Sequence, residues 1–318
     1  MFKIVENQKV VGKELRGVVV ETLQELMKTD DKVVAMEADL GGASGFTKIQ
    51  ATHPDRFIQC GISEANMTGA AAGLSLLGYK PYIHSFGPFV SRRVYDQIFL
   101  SGAYANTTLN IYGSDPGFCA GPNGGTHTTW EDVAILRAIP NVVICDGADA
   151  VQTSWIVREF SKHEGVHYLR ANRKGVRNLY EEGSTFDLGK GNVIKQGHDI
   201  LIISAGQLVS DAYDCAMSLE EQGISTEVID MFCIKPLDVE LIVKEAKDKK
   251  AIVTFENHSI TGGLGSAVAE VMAENNIHVP FKRHGVKERF GQVGTPEFLQ
   301  GEFLLCAKDL EKSIKEIL

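Results

Sequence analysis

The sequence predicts an α/β protein of two doubly wound domains with mostly parallel sheets. Three observations carry that prediction. Short β-branched or apolar runs alternate with amphipathic stretches of helical period, the alternation restarts after one polar interval, and 318 residues are about twice the ~150 of a typical domain. In the first half, strands are predicted at Lys32–Met36, Arg56–Cys60, Lys80–Ile83, Thr108–Tyr112, Val142–Cys145 and Gly165–Leu169. The helical intervals between them are Leu15–Lys28, Glu64–Leu77, Phe89–Ala105, Trp130–Ala138 and Ala150–Lys162. The stretch Ala171–Gly191 carries Arg173, Lys174, Arg177, the pair Glu181–Glu182 and several glycines but little apolar periodicity, which is the composition of a linker. The division expected is therefore a first domain of residues 1–172, a linker of 173–190 and a second domain of 191–318. In the second domain, Ile200–Ser204, Ser225–Asp230, Ala251–Phe255 and Phe281–Val286 read as buried parallel strands. Leu208–Gln222, Asp238–Ala246, Gly265–Glu274 and Ala307–Ile317 read as their covering helices.

Composition excludes several classes of function. The longest nearly apolar run, Gly69–Tyr79, falls short of the ~20 residues that cross a bilayer, so no membrane partner is expected. Thirty-two basic residues against 41 acidic ones leave a net charge of −9 with no basic cluster, a poor surface for nucleic acid. The N-terminal stretch lacks the apolar core of a secretory signal, and a cytoplasmic location is expected. Six cysteines never form the close pairs that zinc or redox motifs need, and they read as reduced, mostly buried small hydrophobes. The 32 glycines exceed the usual ~7% and gather at Gly41–Gly45, Gly113–Gly125 and Gly262–Gly265, in loops fit to hold a ligand.

In open α/β sheets, ligands bind beyond the carboxyl ends of the strands. Four loops occupy such places: Asp39–Gly45, Gly61–Glu64, His84–Phe89 and Gly113–His127. Taken singly, their residues are ambiguous. Glu64 beside Ser63 is what a helix N-terminus favours on electrostatic grounds, and Phe86 and Phe89 could be core aromatics. His127 lies in a glycine-rich loop where no apolar face claims it, so it serves either a loop hydrogen bond or catalysis.

Their order along the chain is more specific. Gly61-Ile-Ser-Glu64-Ala-Asn-Met67, then Phe86-Gly-Pro-Phe89-Val-Ser-Arg92-Arg93-Val-Tyr-Asp96-Gln97, then Gly124-Gly-Thr-His127 with Glu131-Asp132, resembles the transketolase family of thiamine diphosphate enzymes. The second half continues the resemblance with Lys235-Pro236-Leu237-Asp238 and with Glu256-Asn-His258 leading to Gly262-Gly-Leu-Gly265. It covers the pyrimidine-binding and C-terminal domains and not the domain holding diphosphate and metal, which implies the C-terminal subunit of a split, two-chain transketolase. Asp146-Gly147 followed by Asn172 has about the spacing of the family's metal motif, but Cys145 stands where that motif has glycine, so no metal site is expected in this chain.

The resemblance implies a set of roles. Glu64 would hydrogen-bond the aminopyrimidine ring nitrogen, in surroundings of Gly, Ala, Met and Ile that keep water away. Phe86 and Phe89 would flank that ring, with Asp39 and Leu40 on another side. His127 would bind the hydroxyls of the transferred two-carbon unit and shuttle protons, while Arg170, Arg16 and Ser44 would contact the substrate's terminal phosphate. The sequence departs from the family's pattern at Ser114, within Tyr112-Gly-Ser114-Asp115-Pro116 where relatives carry a phosphate-binding histidine, and at Asn123, where they carry an aspartate. These departures point to an altered anionic sugar, either an unusual sugar phosphate or a sugar sulfonate. The resemblance further implies an N-terminal partner subunit holding Mg2+ or Ca2+ and assembly into a heterotetramer. The β subunit of a 2-oxo acid dehydrogenase, half of a 1-deoxyxylulose-5-phosphate synthase and a non-catalytic partner subunit are the alternatives.

Overall fold

The computed structural model describes residues 1–318. In chain order the strands are β1 (Val11–Glu14), β2 (Val33–Glu37), β3 (Phe57–Gln59), β4 (Lys80–Phe86), β5 (Leu109–Ser114), β6 (Val143–Asp146), β7 (Val166–Ala171) and β8 (Gly175–Arg177). They continue as β9 (Asn192–Lys195), β10 (Ile200–Ser204), β11 (Thr226–Asp230), β12 (Cys233–Lys235), β13 (Ala251–Ser259) and β14 (Phe281–Val286). A seven-stranded sheet has the order β12-β6-β7-β5-β4-β2-β3 and a five-stranded sheet the order β14-β13-β10-β11-β9. Every pairing in them is parallel except β12 with β6 and β9 with β11, so the architecture is the mixed, largely parallel α/β arrangement that the alternating sequence pattern predicts. Strands β2, β5 and β7 are buried at every position, as expected of central strands covered on both faces.

Two features of the domain boundary differ from the sequence reading. Strand β12 comes from the second half of the chain, yet it pairs antiparallel with β6 and completes the edge of the first sheet. The two domains therefore share a sheet, and one apolar cluster runs from Leu15 and Val19 through Phe232 to Leu310. The interval 173–190, expected as a linker, is a packed segment. Its strand β8 pairs with β1, and its Tyr180 and Phe186 are buried against each other and against Phe2 at the chain's start. Aromatic side chains scattered through a polar stretch show no strand or helix period, which is why the sequence pattern does not reveal their packing.

The helix expected over Phe89–Ala105 begins later, with a 3-10 turn at Arg92–Val94, and widens into a π-helical stretch at Ile98–Tyr104. That frees Phe86, the last residue of β4, and Phe89 to lie in a turn at the strand's carboxyl end. No helix is long and apolar enough to cross a membrane.

Candidate active site

The carboxyl ends of β2, β4 and β5 converge on one region, as the parallel arrangement requires. Gly87 donates its N–H to the Ser114 carbonyl at 2.9 Å and Phe89 donates to the Phe86 carbonyl at 2.8 Å, fixing the turn that carries both aromatics. A Cβ at Gly87 would stand 2.6 Å from Thr129, so the turn can approach the neighbouring loop only with glycine there. The Phe86 and Phe89 rings meet edge to face at 6.1 Å, and the His127 imidazole stands edge to face on both, at 5.2 and 5.1 Å. His127 is held by Thr126 Oγ1 at 2.9 Å on Nδ1. Burial, aided by the positive charges of Arg93 and Arg173, moves the His127 pKa below its ordinary 6.5, so its neutral form is the resting one at physiological pH.

Glu64 opens helix Glu64–Leu76, where the helix dipole favours a carboxylate, and its side chain is buried. The apolar surroundings expected around it are only part of the environment found. Both carboxylate oxygens accept from Arg93 Nη1 at 2.9 Å, and the Ser85 hydroxyl donates to one of them at 3.4 Å. The Arg93 guanidinium lies over the Phe89 ring at 3.9 Å, so it is held by a ring face as well as a charge. Arg93 belongs to the Ser-Arg-Arg run of the motif, yet nothing in the sequence assigns it this contact. A carboxylate, two aromatic rings and a neutral imidazole are thus gathered in one place.

The other end of the site lies where β5 gives way to the His127 loop. Asp115 is buried with a left-handed backbone (φ 55°), and its carboxylate accepts the Arg173 backbone N–H at 3.1 Å and pairs with Arg173 Nε. The Arg173 guanidinium lies 4.8 Å over the opposite end of the aromatic group, on Phe86. Arg16 adjoins it, donating its backbone N–H to the Arg173 carbonyl at 3.3 Å and its side chain to the Ala43 carbonyl at 3.3 Å.

Three expected substrate contacts are corrected by the structure. Arg170 is 1% exposed, with Nε on Asp132 at 2.7 Å, Nη1 on Asp146 and Nη2 on the Asn257 carbonyl at 3.1 Å, so its fork is already filled. Ser44 lies in the short helical turn Gly41–Ser44 and Ser114 is the last residue of β5, and both side chains turn inward and are fully buried. Ser44 donates to Glu37 at 2.7 Å, while Ser114 pairs with His84 Nε2 at 2.9 Å, and His84 Nδ1 lies 3.1 Å from the same Glu37 carboxylate. Ser-Glu-His-Ser thus forms an internal relay beneath the site. Asp39 is exposed with a left-handed backbone at the end of β2, Leu40 is half-buried beside it, and Asn123 is exposed four residues before His127.

The second domain braces this region, a role the sequence does not disclose. Asn257 donates to the Pro116 carbonyl at 2.9 Å and accepts from the Phe118 N–H at 3.2 Å, while a Cβ at Gly125 would collide with the Gly291 carbonyl. The Gly262–Gly265 cluster proves to be a packing turn. Its Leu264 and Gly265 N–H groups donate to the buried Glu256 carboxylate at 2.8 and 3.0 Å, and a Cβ on Gly263 would collide with that carboxylate. No group of three His, Cys, Asp or Glu side chains is placed to hold a metal ion.

Fold and site together define a two-domain α/β chain carrying a carboxylate–aromatic–imidazole site at the strand ends of its first domain. Residues 12–178 match the family description "Transketolase, pyrimidine binding domain" and residues 189–310 match "Transketolase, C-terminal domain". The chain belongs to the transketolase family. It is 41% identical to the "6-deoxy-6-sulfo-D-fructose transketolase subunit SqwH" of Clostridium sp., over 95% of this chain and 94% of that one. It is 36% identical to one of the subunits of the apulose-4-phosphate transketolase of Phocaeicola vulgatus, over 81% and 83% of the two chains. A solved structure described as "Split gene transketolase, inactive beta4 tetramer" superposes with a TM-score of 0.88 at 35% identity, covering 96% of this chain and 99% of that one.

Proposed function

We propose that this chain is the C-terminal subunit of a split transketolase that moves a two-carbon ketol unit from an anionic ketose to an aldose acceptor. The observation carrying the reading is the convergence of Glu64, Phe86, Phe89 and His127 at one strand-end site. The residues suit the aminopyrimidine half of thiamine diphosphate: a buried carboxylate to hold a proton at a ring nitrogen, and aromatic faces against which a flat ring can lie. When bound, the cofactor supplies the thiazolium carbanion chemistry that cleaves the carbon–carbon bond beside the ketose carbonyl. Glu64 holds the proton at the pyrimidine nitrogen, with Arg93 as its counter-ion. His127, neutral at working pH, takes and returns protons at the sugar hydroxyls. Arg173 presents its guanidinium fork to the anionic end of the sugar, with Arg16 adding positive charge, and Asn123 offers a donor and an acceptor to a substrate hydroxyl.

On this reading an N-terminal subunit supplies the diphosphate-binding domain with its Mg2+ or Ca2+, and the assembly is a cytoplasmic heterotetramer of two chains of each kind. The similarity to a split-gene transketolase chain over 99% of that chain supports this, as do the exposed Ile62, Leu76 and Leu77 at the two ends of the Glu64 helix. The test is Glu64→Gln in the complex reconstituted with its N-terminal subunit. Ketol transfer should fall by roughly 10²–10⁴, and an unchanged rate would overturn the reading. Supplying 2-oxo acids in place of ketoses as donors separates this activity from that of an oxo acid dehydrogenase subunit.

A further inference from the structure

We propose that Asp115 sets the charge selectivity of this site, favouring a ketose whose far end is a singly charged sulfonate over one ending in a doubly charged phosphate. The inference rests on the ketol-transfer reading and extends it to the class of substrate.

Arg173 stands at the anion end of the site, its guanidinium over Phe86. Its Nε and backbone N–H are both taken by Asp115, while Nη1 and Nη2 have no partner in the chain, so the end of the fork is free to bind an anion. Asp115 therefore removes most of the surplus charge of Arg173 and leaves its hydrogen-bonding capacity in place. Of the neighbouring cations, Arg93 is matched by Glu64, while Arg16 and Lys174 share the single carboxylate of Glu14, which leaves one surplus positive charge beside the fork. A monoanion gains the hydrogen bonds of the fork and balances that one surplus charge. A further negative charge finds no surplus cation left to meet it, because Asp115 already takes the charge of Arg173. A terminal phosphate, with its second pKa near 6, carries that further charge at pH 7, whereas a sulfonate does not.

Asp115 cannot simply turn aside to release that charge. Its backbone is in the left-handed region, its N–H donates to the Ala171 carbonyl at 3.3 Å, and both carboxylate oxygens are engaged by Arg173. The residue before it, Ser114, is locked to His84, whose other ring nitrogen is held by Glu37, itself bonded to Ser44. These four buried side chains are positioning residues: they fix where β5 ends, hence where the Asp115 carboxylate points. The motif order that carries the resemblance could not disclose this function, because the relay joins residues 37, 44, 84 and 114 of three separate segments.

The experiment uses the reconstituted two-chain complex and two ketose donors differing only in a terminal sulfonate or phosphate, with a common acceptor. The parent should prefer the sulfonate in kcat/KM. Asp115→Asn tolerates the left-handed backbone and keeps an acceptor for the Arg173 N–H but loses the charge. It should lower the sulfonate-to-phosphate ratio roughly ten-fold, chiefly through a smaller KM for the phosphate donor. Asp115→Gly, free to adopt the same φ, should move the ratio the same way and carries the test if the Asn variant is unstable. A parent that prefers the phosphate, or a ratio unmoved by both variants in folded complexes, would overturn the role of Asp115 and leave ketol transfer standing. Absence of transfer from any ketose by the parent complex would instead sink the ketol-transfer reading and this inference with it.

Discussion

Arg170 and Arg173 stand three residues apart and carry the same charge, yet the fold uses them oppositely. Arg170 lies within β7, pointing into the interface between the domains, where two carboxylates and a carbonyl consume every arm of its fork. Arg173 lies just beyond the strand's carboxyl end, where one carboxylate holds its inner nitrogens and the outer ones face the site. The difference teaches that an arginine becomes a ligand group when the fold leaves part of its fork unfilled, and a structural group when it does not. Charge and position in sequence do not decide the matter; the count of internal acceptors does.

The same conservative substitution at both positions tests this contrast. Arg170→Lys retains the charge but cannot span Asp132, Asp146 and the Asn257 carbonyl at once, and the side chain has no access to solvent. The loss of at least two charge-assisted hydrogen bonds should cost about 2–4 kcal/mol of stability, read from the midpoint of denaturant unfolding. A loss below about 1 kcal/mol would mean that the cluster contributes little, as solvent-exposed ion pairs do.

Arg173→Lys should behave in the reverse way. Lysine still faces Asp115 and keeps the backbone N–H that Asp115 accepts, so stability should fall by less than in the Arg170 variant. KM for an anionic ketose should rise roughly ten-fold, the worth of one charge-assisted hydrogen bond. If KM held steady while the unfolding midpoint fell as far as in the Arg170 variant, the two arginines would be of one kind and the contrast would collapse.

The contrast also explains what is legible in the sequence. The α/β rhythm and the succession of Glu64, Phe86, Phe89 and His127 are local patterns, each carried by a strand end and its following turn, and local patterns survive in a one-dimensional reading. The anion end is built from pairings across the sheet. Ser44 and Ser114 stand near the strand ends where ligands bind, but whether a serine faces the ligand or the core depends on the Glu37–His84 pair on neighbouring strands. Arg173 reads as a linker residue because β8 pairs with β1, a strand at the far end of the first domain's sequence, and no periodicity within 173–190 reports that. Strand β12 is hidden for the same reason, since its partner β6 belongs to the other domain.

A smaller effect reports on the interface side of the comparison alone. Burial raises Glu256 to about 7 against the two helix N–H donors that oppose it, and burial lowers the adjacent His258 to about 4 despite Asp132. Between 4.5 and about 7 the folded chain binds more protons at Glu256 than the unfolded chain does, so that group's contribution to stability falls as pH rises. Between about 4 and 6.5 the unfolded chain binds more at His258, so its contribution rises with pH. From 4.5 to 6.5 the two nearly cancel in the parent. Glu256→Gln keeps an acceptor for one of the two helix N–H groups and cannot titrate, which leaves His258 unopposed. The melting temperature of the variant should therefore climb relative to the parent's from about pH 5 to 6.5, by about one or two degrees. Other buried carboxylates such as Asp230 titrate in both proteins and drop out of the difference. Parallel melting curves across that window would show that Glu256 stays ionised in its cage of helix N–H groups. The interface would then be a permanent charge cluster, and the Arg170 side of the molecule would be more polar than its burial implies.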